Sequence, residues 1–282
     1  MPGAEARSGK RILGLIAGGG RFPFLIAEGA RREGLRVVAV GFRGNTDPAL
    51  LASVDEYQEL RLGQLGKLIS FFKSQGVSSI VMGGTINKAG AMDVIPDLRG
   101  ARLLLKLPGK GDDALLRVIS EELASEGMPV LRAHELIPEL LTPEGFLTGR
   151  RPTAEVMEDI RFGWSVAKEL GRLDIGQTIV VRRQVVAAVE ALEGTDNAIR
   201  RGCSLSGKGA VIVKIFKPGQ DERLDLPSVG LATIEIMREA GAACLAVEAG
   251  RSLFFDREQA IEAARRAGII VVGVSDGLLA ET

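Results

Sequence analysis

The chain of 282 residues contains little of several residue types that mark particular functions. It has one His and two widely separated Cys, so the sequence excludes a multi-histidine zinc site and a cysteine-rich metal site. Aromatic residues make up only 4%, which leaves few side chains for stacking on nucleobases. Lys+Arg and Asp+Glu both number 36, so no net positive charge favours nucleic acid. We therefore expect recognition to be local.

Further absences concern the cellular setting. No apolar run reaches the roughly 18 residues that a membrane-spanning helix needs. Residues 1–10 carry charges without an apolar core, so we expect a loose tail there and not a signal peptide. Cys203 and Cys244 are expected to be buried, reduced thiols. Together these features predict a cytoplasmic protein.

Short apolar runs alternate with amphipathic segments through residues 11–137. Strands are predicted at 12–17, 37–40, 79–82 and 130–133, and helices at 23–34, 65–75, 97–107 and 112–126. Continuous apolar strands separated by helices are typical of a parallel sheet with crossover connections. We predict an α/β protein whose N-terminal domain, 11–137, is Rossmann-like with a parallel sheet.

Proline and glycine residues between 138 and 152 predict a linker over that range. Residues 153–282 then form a mixed α/β C-terminal domain. Helices are predicted at 153–170, 231–240 and 256–268, strands at 179–183, 185–189, 211–216 and 269–274, and a hairpin of 245–247 with 253–255 that turns at Gly250. Asp256 with Gln259 is expected to start the last of these helices as a capping box.

The stretch 15–20, L-I-A-G-G-G, ends the first predicted strand in three glycines. A dinucleotide site would need a third motif glycine where Pro23 lies and an acidic residue near 41–43, where the chain has Gly-Phe-Arg. A Walker loop would need a Lys-Ser/Thr pair, which is missing here. Two interpretations stay open: a tight turn that needs small residues for packing, or an anion site made by the N–H groups of Gly18, Gly19 and Gly20.

The segment 109–117, G-K-G-D-D-A-L-L-R, is a second candidate for phosphate binding. Lys110 lies between two glycines and is placed to reach a phosphate, whereas Asp112 fits the cap of the following helix. Asp113 and Arg117 are four residues apart and fit an ion pair on that helix. The alternative is an ordinary helix start with an exposed ion pair.

Acidic turns lie among the strands of the second half, at 171–177, 193–196 and 223–230. Carboxylates gathered at strand ends are typical ligands of Mg²⁺. In the turn 193–196, Thr195 or Asp196 fits a helix N-cap, or else Asp196 and Glu193 supply contacts to a metal ion or water.

Asp225 lies shortly before Pro227, and a helix is predicted to begin near Gly230. The positive end of that helix favours an ionised carboxylate, so Asp225 suits a metal ligand or a water-positioning base better than a general acid. The alternative is an ordinary turn aspartate. The single His134 is expected to be structural, and the basic and apolar segment 99–106 is expected to be a core-facing helix in preference to a membrane contact.

Taken in order, the segments 15–20, 109–117, 171–177, 193–196 and 225–230 resemble those of a known family. This is the UDP-2,3-diacylglucosamine pyrophosphatase of lipid A biosynthesis, in the form unrelated to calcineurin-like phosphoesterases. The resemblance covers the chain from residue 13 to about residue 274. It implies a hydrolase acting on a phosphorus anhydride, with Mg²⁺ (or Mn²⁺) as cofactor and with UMP and 2,3-diacylglucosamine 1-phosphate as products. It also places the essential aspartate in the motif D-L-P-x-x-G, here Asp225.

Further roles are assigned on physical grounds beside the resemblance. Asp196 is expected to assist Asp225 in catalysis and in holding the metal. The residues expected to bind substrate are Gly18, Gly19, Gly20, Lys110, Asp112, Asp113, Gln177 and Thr195. The expected partners are the UDP-sugar lipid, the inner membrane through at most peripheral contact, and a second copy in a homodimer. Two alternatives are kept: a dinucleotide-dependent oxidoreductase and a non-catalytic nucleotide-lipid binding module.

Overall fold

The computed structural model describes residues 11–86, 96–105 and 112–281, without the side chains of residues 112 and 113. The chain forms two compact units. Unit 1 extends to Pro138 and also includes Asp221–Asp225, whereas unit 2 consists of Glu139–Gln220 and the chain from Leu226 onward. The segment 221–225 therefore belongs to a different unit from its neighbours in sequence. The predicted domain and linker boundaries stay a prediction.

Unit 1 is built on a four-stranded parallel sheet in the order β3-β2-β1-β4. Its strands are β1 (Ile12–Ala17), β2 (Arg36–Phe42), β3 (Glu56–Leu60) and β4 (Ser79–Gly83), and its helices are α1 (Phe22–Arg32), α2 (Leu65–Ser74), α3 (Leu98–Leu104) and α4 (Asp112–Ser125). Short 3₁₀ helices cover Pro48–Ser53 and Ala133–Glu135. The nearly continuous burial of β1 and β2 is what a strand covered on both faces requires.

Unit 2 is built on a six-stranded sheet in the order β5-β12-β10-β8-β6-β7. The elements are β5 (Gly145–Phe146), α5 (Ala154–Arg172), β6 (Thr178–Arg182), β7 (Val185–Val189), α6 (Thr195–Ser206), β8 (Val211–Lys214), β9 (Ser228–Val229), α7 (Leu231–Ala240), β10 (Cys244–Glu248), β11 (Leu253–Phe254), α8 (Arg257–Ala267), β12 (Ile270–Val274) and α9 (Asp276–Glu281), with a 3₁₀ helix at Pro138–Leu140. The strands β8, β10 and β12 are parallel to one another. Strand β5 pairs antiparallel with β12, and β6 pairs antiparallel with both β7 and β8. The predicted α/β class, with one parallel and one mixed sheet, is confirmed.

Both faces of the second sheet are covered by helices. The helices α6, α7 and α8 pack against one face, and α5 packs against the other through Ile160, Trp164 and Ala167. Glycines let these helices approach closely: a Cβ on Gly202 of α6 would lie 2.5 Å from the Cβ of Val180, and a Cβ on Gly163 of α5 would lie 2.7 Å from Val213 Cγ2. The helix spacing on both sides of β6 and β8 thus depends on a missing side chain.

Three local predictions were wrong. The segments 245–247 and 253–255 do not form a hairpin, because β10 is a central strand between β8 and β12 and β11 pairs in parallel with β9. Residues 130–133 form a single bridge, Val130 to Ile80, and then a 3₁₀ turn in place of a strand. Asp256 adopts a left-handed conformation (φ 47°) with no side-chain cap bond, so the predicted capping box is not formed.

The basic and apolar segment 99–106 is described up to residue 105. On α3, Gly100 and Leu103 face the core, so the core-facing prediction holds for that side. Leu98 and Leu105, at its two ends, are 70% and 87% exposed. Arg99 donates to Glu122 (2.7 Å) and also pairs with Glu126, which joins α3 to α4. None of the described helices combines the length and apolar character that crossing a membrane requires.

The close approach of α6 to β6 gives a stability prediction. We expect Gly202→Ala to lower the free energy of unfolding by about 1–3 kcal/mol. The added methyl group would overlap the branched side chain of Val180, and this outweighs the gain of about 1 kcal/mol in helix propensity. Urea unfolding followed by circular dichroism measures the difference. In the control Gly277→Ala, on α9, the nearest atom lies 3.5 Å away, so no loss is expected there. Equal stability of Gly202→Ala and wild type would contradict the packing argument.

Candidate active site

The glycine turn that follows β1 is held by backbone contacts within unit 1. The N–H of Gly18 donates to Gly83 O (2.8 Å), and the N–H of Gly19 donates to Thr85 O (2.7 Å). A Cβ on Gly18 would lie 2.6 Å from the carbonyl oxygen of Thr85. These two N–H groups are therefore not available to a phosphate in this conformation, and the two glycines are needed for packing.

Gly20 differs from the two glycines before it. Its φ is 82°, in the left-handed region, and a Cβ there would meet no atom within 4 Å. Of the three N–H groups, that of Gly20 has no acceptor among the residues that the structure describes. Of the three N–H groups predicted to bind an anion, only that of Gly20 thus stays available in this conformation, and the anion site itself stays a prediction.

The segment predicted around Lys110 lies outside the described residues, and so do the side chains of Asp112 and Asp113. The helix predicted from residue 112 is observed as α4, which begins at Asp112. The substrate contacts expected of Lys110, Asp112 and Asp113 stay predictions.

The turn 221–225 presents Asp225 on unit 1. The carboxylate of Asp221 accepts from the backbone N–H of Arg223 (3.0 Å) and from its Nε (2.9 Å), and this pairing lowers the pKa of Asp221. The carbonyl of Asp221 accepts from the N–H of Asp225 (3.3 Å), and Leu224 packs against the core of unit 1. Asp225 itself is exposed. A folded turn anchored by an ion pair and an apolar side chain therefore carries Asp225.

The chain that follows Asp225 enters unit 2 as strand β9 and then helix α7. Gly230 is the N-cap of α7, and its N–H donates to Thr233 Oγ1 (3.4 Å). The helix predicted near Gly230 is thus observed. The effect of its positive end on Asp225 stays a prediction.

Polar side chains gather in unit 2 where β8 ends. Lys214, the last residue of β8, is 5% exposed, and its Nζ donates to Thr195 Oγ1 (2.9 Å). The Thr195 hydroxyl in turn donates to Glu190 Oε1 (2.8 Å). Thr195 is the first residue of α6, and Glu190 directly follows β7. The result is a directed chain of hydrogen bonds from an ammonium through a hydroxyl to a carboxylate.

The turn that contains Gln177 lies beside this chain. The backbone of Gly176 touches that of Glu190, since a Cβ on Gly176 would lie 2.0 Å from Glu190 O. The N–H of Glu190 donates to the carbonyl of Thr178 (2.8 Å), and Thr178 is the register partner of Lys214. Buried oxygens on Gln177 (Oε1), Thr178 (Oγ1) and Glu190 (Oε2) have no hydrogen-bond partner among the described residues.

Glu193 and Asp196, which the sequence analysis places together, have different surroundings. Glu193 forms an ion pair with Arg201, which lowers the pKa of Glu193, and it accepts from the N–H of Ala191 (3.2 Å). Its role is therefore to fix the start of α6. Asp196 lies exposed in the first turn of α6, so its carboxylate is accessible. The N-cap of α6 is Gly194, which corrects the prediction that Thr195 or Asp196 caps it.

The two residues that are predicted to hold a metal ion, Asp225 and Asp196, are both carboxylates, a ligand type that Mg²⁺ prefers. Among the described residues there is no group of three or more His, Cys, Asp or Glu that is placed to hold a metal ion. Asp225 and Asp196 are exposed carboxylates on different units. Mg²⁺ commonly takes one or two carboxylates and completes its shell with waters and phosphate oxygens, so the chemistry of these residues fits it and the metal site stays a prediction.

Lys214 and Glu190 are not among the site residues predicted from the sequence. A signal for Lys214 was present, because it interrupts the apolar run 211–216 and a charge inside a buried strand needs a partner. Glu190 had no such signal, since it lies in a turn where a solvated carboxylate is common.

Burial shifts the pKa of the single histidine and of both cysteines. His134 has a lowered pKa, chiefly because it is partly buried, and the structural role expected of it stays a prediction. Cys203 and Cys244 are both buried and free, as predicted, and burial raises the pKa of each thiol.

Comparison with known proteins covers both halves of the chain. The family model described as LpxI N-terminal domain matches residues 12–140, and that described as LpxI C-terminal domain matches residues 143–272. The chain is 39% identical, over 277 residues, to UDP-2,3-diacylglucosamine pyrophosphatase LpxI of Caulobacter vibrioides. The match covers 94% of this chain and 98% of that protein.

Solved structures are more distant. A biotin carboxylase complex from Campylobacter jejuni has 13% identity and a TM-score of 0.28, and the match covers 69% of this chain but only 42% of that one. MurG of Acinetobacter baumannii has 11% identity and a TM-score of 0.27, with 97% and 89% covered. Neither likeness bears on function. The two family models and the 39% identical relative lead to one conclusion: the chain belongs to the LpxI family.

Proposed function

We propose that the chain hydrolyses the diphosphate of UDP-2,3-diacylglucosamine to UMP and 2,3-diacylglucosamine 1-phosphate, a reaction of lipid A biosynthesis. The observation that carries this proposal is the match to a UDP-2,3-diacylglucosamine pyrophosphatase over 98% of that protein's length. The exposed Asp225 on its anchored turn supports it further, because a hydrolase needs an accessible carboxylate near the attacking water.

The proposed reaction splits one phosphorus–oxygen bond. The oxygen of a water molecule bonds to the phosphorus on the sugar side, and the bond from that phosphorus to the bridging oxygen breaks. The bridging oxygen leaves with UMP, and the water oxygen stays on the sugar 1-phosphate. The Asp225 carboxylate accepts a proton from the water or orients it.

We further propose that Asp225 and Asp196 hold Mg²⁺ (or Mn²⁺). A divalent cation offsets the negative charge of a diphosphate that otherwise repels an attacking oxygen. The accessibility of both carboxylates supports this assignment. Gly20, Thr195 and Gln177 are proposed to contact the substrate, together with Lys110, Asp112 and Asp113.

A homodimer, a cytoplasmic location and peripheral contact with the inner membrane are also proposed. The exposed Leu98 and Leu105 support membrane contact, and an open groove of about 1250 Å³ lined by Phe71, Leu98 and Leu103 lies beside them in unit 1. Arg102 borders the same groove and carries a charge suited to anionic lipid head groups.

The oxidoreductase alternative has little support. Residues 41–43 at the end of β2, Gly-Phe-Arg, include no acidic residue for a ribose, and Arg43 pairs with Glu59 (3.0 Å). The binding-module alternative differs from the hydrolase in one respect: it predicts that loss of the Asp225 charge changes nothing.

The role of Asp225 is tested by Asp225→Asn. We expect turnover to fall by at least about 100-fold while substrate binding is retained, because the amide keeps the shape but neither takes a proton nor neutralises a cation. Release of UMP from UDP-2,3-diacylglucosamine, followed by chromatography, measures turnover. Asp47→Asn is the control. The Asp47 carboxylate accepts from the N–H of Ala49 (2.9 Å), and the side-chain oxygen of asparagine can accept the same hydrogen bond. Full UMP release by Asp225→Asn would favour the binding module or another base.

The metal proposal is tested separately with the wild-type chain. Excess EDTA is expected to abolish UMP release, and added Mg²⁺ or Mn²⁺ to restore it. Binding of Mn²⁺ alone, measured by electron paramagnetic resonance, should weaken in Asp225→Asn. UMP release that continues in EDTA would argue against a cation.

The anchored turn is tested by Arg223→Gln. Because this removes the cation that pairs with Asp221, Asp225 should be held less firmly and kcat should fall about tenfold with little change in melting temperature. Arg43→Gln is the matched control, since it breaks another exposed ion pair, to Glu59, in the same unit. Equal kcat for the two variants would show that the turn does not depend on its ion pair.

A further inference from the structure

The hydrogen-bond chain at the end of β8 contains a charge that is costly to bury. Lys214 is 5% exposed, and an ammonium out of water is tolerated only when partners compensate it. The Thr195 hydroxyl accepts a hydrogen bond from Lys214 Nζ (2.9 Å) and donates one to Glu190 Oε1 (2.8 Å). Glu190 thus acts on Lys214 through a hydroxyl, at a fixed geometry.

The position of Lys214 is one where ligands bind in open α/β sheets. It is the carboxyl-terminal residue of β8, which runs parallel to β10 and β12, and ligands of such sheets bind outside the carboxyl ends of the strands. It also bonds to the first residue of α6, a helix of 12 residues whose Gly194 N-cap provides no side-chain cap. The ammonium and the positive helix end both favour an anion.

Several buried polar atoms around Lys214 have no hydrogen-bond partner among the described residues, which points to a ligand. Thr178, the register partner of Lys214, is fully buried, and its hydroxyl has no hydrogen-bond partner among the described residues. Buried oxygens of Gln177 and Glu190 share this lack. A purely structural network satisfies its own members. A phosphorylated sugar brings both acceptor oxygens and hydroxyl donors, which is the mixture these groups need.

We propose that Lys214 binds an oxygen of the substrate diphosphate and that Glu190 is a positioning residue, which holds the ammonium in place through Thr195. The proposal rests on the function proposed above and adds residues to it. In this proposal Lys214 contacts the substrate, and the Thr195 hydroxyl connects Lys214 to Glu190. Glu190 affects the substrate only through these two side chains.

The test measures kcat/KM for UMP release, with melting temperature as the check on folding. Lys214→Met keeps the volume and removes the charge, and we expect a loss on the order of 100-fold with a folded protein. Lys168→Met is the matched control, because Lys168 is another largely buried lysine of unit 2, bonded to Glu248 (2.6 Å). It should lower the melting temperature and leave the kcat/KM of the folded protein unchanged.

A double-mutant cycle isolates the positioning role. Glu190→Gln should lower kcat/KM about tenfold in the wild-type background and have no further effect beside Lys214→Met, since both act on one interaction. Thr195→Val should behave as Glu190→Gln does, and Thr195→Ser, which keeps the hydroxyl, should restore activity. Additive effects of Glu190→Gln and Lys214→Met would overturn the positioning role.

UMP release by the wild-type and Lys214→Met proteins separates an error about Lys214 from an error about the proposed function. Wild-type protein that releases no UMP from UDP-2,3-diacylglucosamine would refute the function. Wild-type and Lys214→Met proteins that release UMP equally would leave the function standing and refute the role of Lys214. A loss in Lys214→Met matched by an equal loss in Lys168→Met would show that any large disturbance of unit 2 lowers activity, which also overturns the proposal.

Discussion

Contacts between backbone atoms that only glycine permits determine where the polar groups of each unit lie. In unit 1, Gly18 and Gly19 bond to the turn after β4, so the end of β1 is closed by main chain rather than open to a ligand. In unit 2, Gly176 touches the carbonyl of Glu190, which brings the end of β7 against the start of β6. From this position the side chain of Glu190 accepts from the Thr195 hydroxyl, which in turn accepts from the buried Lys214.

The two units therefore use the ends of their strands differently. In unit 1 the N–H groups of Gly18 and Gly19 donate to main-chain carbonyls, and that of Gly20 has no acceptor among the described residues. Unit 2 instead collects side chains with opposite charges at the end of β8, connected through one hydroxyl. Charge in a buried place requires both compensation and fixed geometry, and a fixed ammonium is the kind of group that recognises a phosphate oxygen.

Elements with a continuous apolar run were predictable from sequence, and so were helices with one apolar face such as α5. Strand β3 was missed because an edge strand with exposed Glu56 and Glu59 lacks that run. The hairpin at Gly250 was wrong because sequence neighbours do not reveal that β10 pairs with β8 and β12. For the site, single residues and their motifs were visible, but the link from Lys214 to Glu190 spans 24 positions and depends on tertiary packing.

The segment 221–225 limits how such a chain can be recombined during evolution. The match to the C-terminal family model spans 143–272, so an exchange of halves near residue 140 would transfer Asp225 with unit 2. Its anchors would stay behind, because Leu224 packs against the core of unit 1 and Glu222 pairs with Arg132 (3.7 Å) of that unit. A new N-terminal partner would have to offer both an apolar depression and a cation at matching positions. The two halves of this chain thus share an anchored turn, even though each half has its own sheet and core.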